Sequence, residues 1–157
     1  MCIRDSEIDY SSLLSLFQKE IRIDEKIAKI KAAARLKLYK VELREPLLIV
    51  VSHVSSYEAS AARALVELGA DLAIVAGGKK GLVRVCARCT KRFLEITGLH
   101  LGRDLMMDLG KEISGSGGGH ASAASANGIG NPEEALIKAL NILRMKVNGS
   151  LKEIRCE

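Results

Sequence analysis

Residues 47–88 read LLIVVSHVSSYEASAARALVELGADLAIVAGGKKGLVRVCAR, and this stretch decides the fold class. Leu47-Leu48-Ile49-Val50-Val51-Ser52 is a continuous β-branched-rich run with no polar alternation, the pattern of a strand buried in a sheet. A helix follows over roughly residues 55–68, closed by Gly69. Leu72-Ala73-Ile74-Val75-Ala76 is the next strand, and Gly77-Gly78-Lys79-Lys80-Gly81 is a turn signal. Residues 82–88 complete a hairpin. Period-two alternation puts Val83, Val85 and Ala87 on one face of that last strand and Arg84, Cys86 and Arg88 on the other.

Downstream, short helices are predicted over residues 90–96 and 103–113, with Thr97-Gly98 between them. A loop over residues 114–119 carries the run Gly115-Ser116-Gly117-Gly118-Gly119, and a short helix is predicted from His120 to Ala126, stopped by Asn127-Gly128. Asn131-Pro132-Glu133-Glu134 has the composition of a helix start: asparagine at the N-cap, proline in the first turn, acids at the positive end of the dipole. That helix runs to about Val147. Upstream, Leu13, Leu16, Phe17, Ile21, Ile27, Ile30, Ala34 and Leu38 recur at mostly helical spacing. They predict a long helix over residues 6–43, broken near residues 22–24 and ended by Glu45-Pro46. The order implies an α/β (α+β) fold, a small mixed β-sheet flanked by helices. Residues 1–43 read as an N-terminal linker helix and residues 44–157 as the domain it leads into.

Three consecutive glycines allow positive φ values and let a backbone approach a ligand with no Cβ in the way. Gly117, Gly118 and Gly119 are therefore candidates for cradling a phosphate. A helix starting at His120 would add its positive end, and the imidazole one directional donor. A flexible linker is the plain alternative for the glycines, and a helix cap the plain alternative for His120. Arg88 offers a rigid fork of donors suited to phosphate, which lysine does not imitate. Arg84 shares its strand face, as a second ligand or as a solvated arginine. Lys79 and Lys80 read as solubilising residues at a hairpin tip.

Composition narrows the partner class. The 157-residue chain is 48% hydrophobic but 3% aromatic and lacks tryptophan, so the core is aliphatic and base stacking on aromatic rings is disfavoured as a mode of recognition. Its net charge of +5 permits a polyanionic partner. No apolar run reaches the ~18–20 residues that span a bilayer and no signal segment opens the chain, so a cytoplasmic location is expected. Cys86-x-x-Cys89 has no second ligand pair for zinc, and its strand-like setting does not suit a redox site. His53 reads as a core or loop residue. His100, Asp104 and Asp108 share a four-residue spacing, but Gly102 argues against one continuous helix and so against a metal site there.

The run GGGH at residues 117–120, followed by Ala121-Ser122-Ala123-Ala124, resembles the signature of the DHH-associated domain. That domain is the C-terminal, substrate-binding half of DHH superfamily phosphoesterases such as RecJ-like exonucleases and oligoribonucleases, with a relative at the end of alanyl-tRNA synthetases. Val83 to Cys89 resembles its arginine-bearing strand, and residues 55–65 and 71–77 are most similar to archaeal members. The glycine usual shortly after the paired alanines is Ser125 here. The resemblance implies binding of single-stranded nucleic acid, short oligonucleotides or nucleotides through His120, the glycines and Arg88. It implies no catalytic residue and no cofactor in this chain, because Mn or Mg ions belong to a separate DHH domain whose ligand set is missing. The chain is accordingly expected to be a fragment or one product of a split gene, inactive alone, acting with a DHH catalytic domain in cis or trans or self-associating through the leading helix. The alternative is a stand-alone RNA- or tRNA-binding module like the synthetase domain.

Overall fold

The computed structural model describes residues 22–155. The chain enters through α1 (Ile23–Ala34), β1 (Lys37–Glu42) and β2 (Pro46–Val54), then α2 (Glu58–Glu67), β3 (Leu72–Lys79) and β4 (Leu82–Cys89). Next come α3 (Lys91–Thr97) and a π-helical segment (Leu101–Met106) continuous with α4 (Met107–Glu112). The chain continues with β5 (Ser116–Gly119), β6 (Ala123–Ile129), α5 (Pro132–Lys146) and β7 (Ser150–Ile154). The strands form one mixed sheet in the order β5-β6-β4-β3-β2-β1-β7. Among the described strands only β2 and β3 pair in parallel, joined by α2 as a crossover. This is the expected α/β class.

Apolar residues leave the sheet on both faces. On one, Ile49, Ile74, Val85 and Ala126 meet Phe93, Met106, Leu109 and Leu143 from α3, the π-helical segment, α4 and α5. On the other, Val50, Ala73 and Val75 meet Ala32 of α1 and Ala61, Ala62 and Leu65 of α2. The buried cluster of this second layer draws on β2 and β3 but includes no residue of β4, β6 or β5. α2 also lies against β4, so the face left without a helix is that of β6 and β5. Where β2 and β3 begin, Asp71 Oδ2 accepts from the Leu48 N–H at 2.9 Å while Arg92 Nη1 donates to both Asp71 oxygens, at 3.2 and 3.3 Å. That pair fastens the starts of β2, β3 and α3 together.

Three expectations are corrected, and one strand is added. Within the described residues the long leading helix is α1 alone, because residues 37–42 form β1, paired antiparallel to β2. Leu38 and Val41, three apart, fit a helical spacing, but in β1 they fall on opposite faces of the strand, and the ladder to β2 decides. The expected stripe of Leu13, Leu16, Phe17 and Ile21 lies outside the described residues. Gly77 and Gly78 are strand residues, and the turn is Lys80-Gly81, at φ 54° and 78°, a mirror-image turn that matches the twist of its strands. No helix follows His120. The glycine run is β5 and residues 123–129 are β6, paired on both sides, so tertiary pairing overrides the helix propensity of alanine. Finally β7, unanticipated, pairs with β1 at the sheet edge.

The start of α5 is as expected. Asn131 Oδ1 accepts from the Glu134 N–H at 2.8 Å, with Pro132 at the first helical position. Asn131→Ala should lower unfolding stability by about 1 kcal/mol in urea denaturation. Unchanged stability would mean that this cap contributes nothing.

Candidate functional site

The alternation of β4 decides which of its residues face away from the larger core. Val83, Val85 and Ala87 are buried in the core, which turns Arg84, Cys86 and Arg88 to the other side. Register then lays out rows across the sheet. Arg84 pairs with Gly77 on β3 and Asn127 on β6, and Asn127 pairs with Ser116 on β5. Cys86 pairs with Val75 and Ser125, and Ser125 with Gly118. Arg88 pairs with Ala73 and Ala123, and the His120 N–H donates to Ala123 O at 2.9 Å. All the expected site residues thus fall within three neighbouring strands. Arg84 lines a cleft of about 510 Å³ together with Ser55, Glu58, Ser116 and Asn127, whereas Arg88, Gly117, Gly118, Gly119 and His120 lie outside its lining.

Neither arginine forms an ion pair among the described residues. Arg84 is exposed and Arg88 half-buried. Their charge is available to an outside anion.

The glycines divide by role. A Cβ on Gly117 would strike Met106 O, and one on Gly119, at φ +136°, would strike Ala124. Both are needed for packing. A Cβ on Gly118 would meet nothing within 4 Å, so this glycine presents bare backbone to the open side. His120 is exposed at the hairpin tip, without the helix dipole that the sequence predicted there. The tip is pinned instead: the Gly102 N–H donates to His120 O at 3.1 Å and the Leu101 N–H to Ala121 O at 3.0 Å.

The remaining candidates point elsewhere. His53 pairs with Ala76 on the face toward α5. His100 Nδ1 accepts from the Arg103 N–H at 3.0 Å, which requires the tautomer with its proton on Nε2. Hydrogen bonds from Arg103 and the His100 N–H hold the Asp104 carboxyl below the usual range, and Asp108 pairs with Lys146 at 3.1 Å. Cys86 and Cys89, three apart on a strand, fall on opposite faces and are free thiols. Burial pushes Cys86 up despite the opposing pull of Arg84, and pushes Cys89 up to about 12.

The predicted helix hid Ser125 and Asn127 from the sequence reading. The signal was present in Ala124-Ser125-Ala126-Asn127, which alternates small apolar with polar residues at a period of two. Glu58 was hidden as an ordinary first-turn acid.

No protein-family model matches the chain. It is 39% identical over 123 residues to an uncharacterized protein from Methanocaldococcus jannaschii, covering 77% of this chain and 36% of that one. The chain thus spans about a third of the length of that curated relative. The C-Ala domain of Aquifex aeolicus alanyl-tRNA synthetase superposes on 70% of this chain and 99% of its own, with a TM-score of 0.51 and 17% identity. The chain shares the fold of that domain. An exopolyphosphatase-related protein from Bacteroides fragilis superposes on 88% of this chain and 39% of its own, with a TM-score of 0.52 and 11% identity. At these identities both likenesses are of fold. Among the described residues no helix is long and apolar enough to cross a membrane.

Two outcomes test this geometry. Gly117→Ala should destabilise the chain by roughly 1–3 kcal/mol through forced displacement of backbone, whereas Gly118→Ala should leave the melting temperature near its original value. Equal effects would contradict the division of roles. Cys86 and Cys89 should label with a thiol reagent only on unfolding. Because folding favours the neutral Cys89 thiol, its contribution is complete at neutral pH. It should decline as pH rises from about 9, where the exposed thiol ionises, toward about 12.

Proposed function

We propose that the chain is the substrate-binding, DHH-associated part of a DHH superfamily phosphoesterase of the RecJ-like or oligoribonuclease class. In this reading it holds nucleotides or short single-stranded nucleic acid by their phosphates. The observation that carries the reading is a pair of arginines without carboxylate partners, Arg84 and Arg88, on the sheet face turned away from the larger core, a face that continues across β6 to the bare backbone of Gly118. Four residues of strand separate them by about 13 Å, so the two forks serve different phosphates. His120 adds a neutral or charged donor at the end of the Arg88 row.

The GGGH resemblance and the fold shared with an exopolyphosphatase-related protein support this reading. Hydrolysis is assigned to a separate DHH domain, whose Mn or Mg ions would supply the activated water. The described residues contain no group of three metal-ligating side chains. In the longer archaeal relative, the length that this chain does not span is where such a domain would lie. Binding should show weak sequence preference through the phosphates and should weaken as salt rises, because neutralised phosphates release counterions.

A second reading, a non-catalytic tRNA-binding module, is favoured by the superposition on almost the whole C-Ala domain. The two separate in one experiment. A labelled oligonucleotide titrated at increasing salt should bind at low salt and lose roughly tenfold in affinity on Arg88→Ala or His120→Ala. Absence of binding, or binding indifferent to both substitutions, refutes the phosphate-binding reading. A strong preference for folded tRNA selects the second.

A further inference from the structure

The cleft contains one side chain that an anion-binding face has no electrostatic use for. Glu58 is half-buried, lines the cleft with Arg84 and Asn127, and its carboxylate forms no ion pair or hydrogen bond with the described residues. Two local features hold it there. Tyr57, immediately before it, sits at φ 61°, a left-handed conformation that bulky residues rarely adopt. Gly77 leaves a space on β3 that the Glu58 side chain occupies, since a Cβ there would fall on Glu58 Oε1. Gly77 is the cross-strand partner of Arg84, so carboxylate and guanidinium belong to one row. Both charges act on the Cys86 thiol beneath them.

A carboxylate beside a phosphate-holding arginine repels the phosphate. It becomes useful when the bound molecule presents donors to it. An ionised carboxylate only accepts, and its two oxygens suit two adjacent donors. A nucleotide offers that arrangement in two places: the N1–H and N2–H₂ edge of guanine, and the 2′,3′-diol of a ribose. On the pairing edges of adenine and cytosine an acceptor stands beside the donor, which a carboxylate rejects.

Resting on the phosphate-binding reading above, we propose that Glu58 is the specificity-determining residue of the cleft, accepting from a pair of adjacent donors on the bound nucleotide. Arg84 and Arg88 then supply affinity common to all phosphorylated ligands. Glu58 selects among them. The strained Tyr57 and the bare Gly77 are the structural means of seating its carboxylate.

Four 5′-phosphorylated dinucleotides, of guanine and adenine in ribo and deoxy forms, test this when titrated against the whole chain. The riboguanine form should bind about tenfold more tightly than the deoxyadenine form, within the range of a bidentate contact. Glu58→Gln should remove most of that ratio. Gly77→Ala should do the same, because it displaces the carboxylate without deleting it, and circular dichroism verifies that both variants remain folded. A lost preference confined to guanine identifies the base edge, and one confined to ribose identifies the diol. Either supports the proposal. A ratio unchanged in both variants, or a Glu58→Gln chain that binds all four ligands equally more tightly, overturns it while Arg88→Ala still weakens all four. Loss of that common Arg88 dependence signals failure of the underlying reading, and a chain that binds none of the four overturns both.

Discussion

The structure depends on a backbone-to-backbone approach between the π-helical segment with α4 and the β5–β6 hairpin. Gly102 lies against Gly119, and Gly110 against Gly117, with no side chain between them on either side. Contact this close has two effects. It fixes the inner face of the glycine strand against a helix, so its other face must look outward. It also brings the Leu101 and Gly102 N–H groups onto the carbonyls of Ala121 and His120, which holds the hairpin tip without a helix of its own. The glycine run therefore acts as a strand braced from behind, quite unlike a flexible loop that wraps an anion.

Asymmetry in the two helical layers does the rest. One face of the sheet is covered by α3, the π-helical segment, α4 and α5, and the other by α1 and α2 over β2, β3 and β4 but not over β6 and β5. Residues that alternation directs to the second face change character along the sheet accordingly. They are Ala73 and Val75 under α2, then Arg84 and Arg88, then Ser125 and Asn127. The buried Cys86 between the arginines shows where cover ends. Its thiol is shielded enough to stay protonated while its strand neighbours reach solvent.

What could be read in the sequence was whatever depended on near neighbours along the chain. The β2–α2–β3–β4 order, the face assignment of Arg84 and Arg88, and the Asn131 cap each follow from residues within a few positions of one another. What escaped depended on distant partners. Ala123 to Ile129 carries strong helix formers, and only pairing with β4 and β5 makes it a strand. β1 and β7 stabilise each other from opposite ends of the domain, and neither has the unbroken apolar run that marked β2. The cleft escaped for the same reason, since Glu58, Arg84 and Asn127 meet only once the register is set. The roles of individual glycines were equally illegible. Gly117 and Gly118 are adjacent and chemically identical, yet one is required by Met106 and the other by nothing among the described residues.

That distinction bears on how such a domain can diverge. An added Cβ at Gly102, Gly110 or Gly117 meets main-chain atoms, and main chain cannot be traded for a smaller residue. No second substitution nearby can make room, so drift at these positions is closed to compensation. On the outward face, Ser116, Gly118, Ser125 and Asn127 support no packing partner of comparable rigidity and can be exchanged one at a time. A lineage carrying this fold is therefore free to acquire new ligand preferences by single steps while its hairpin and helix stay locked together.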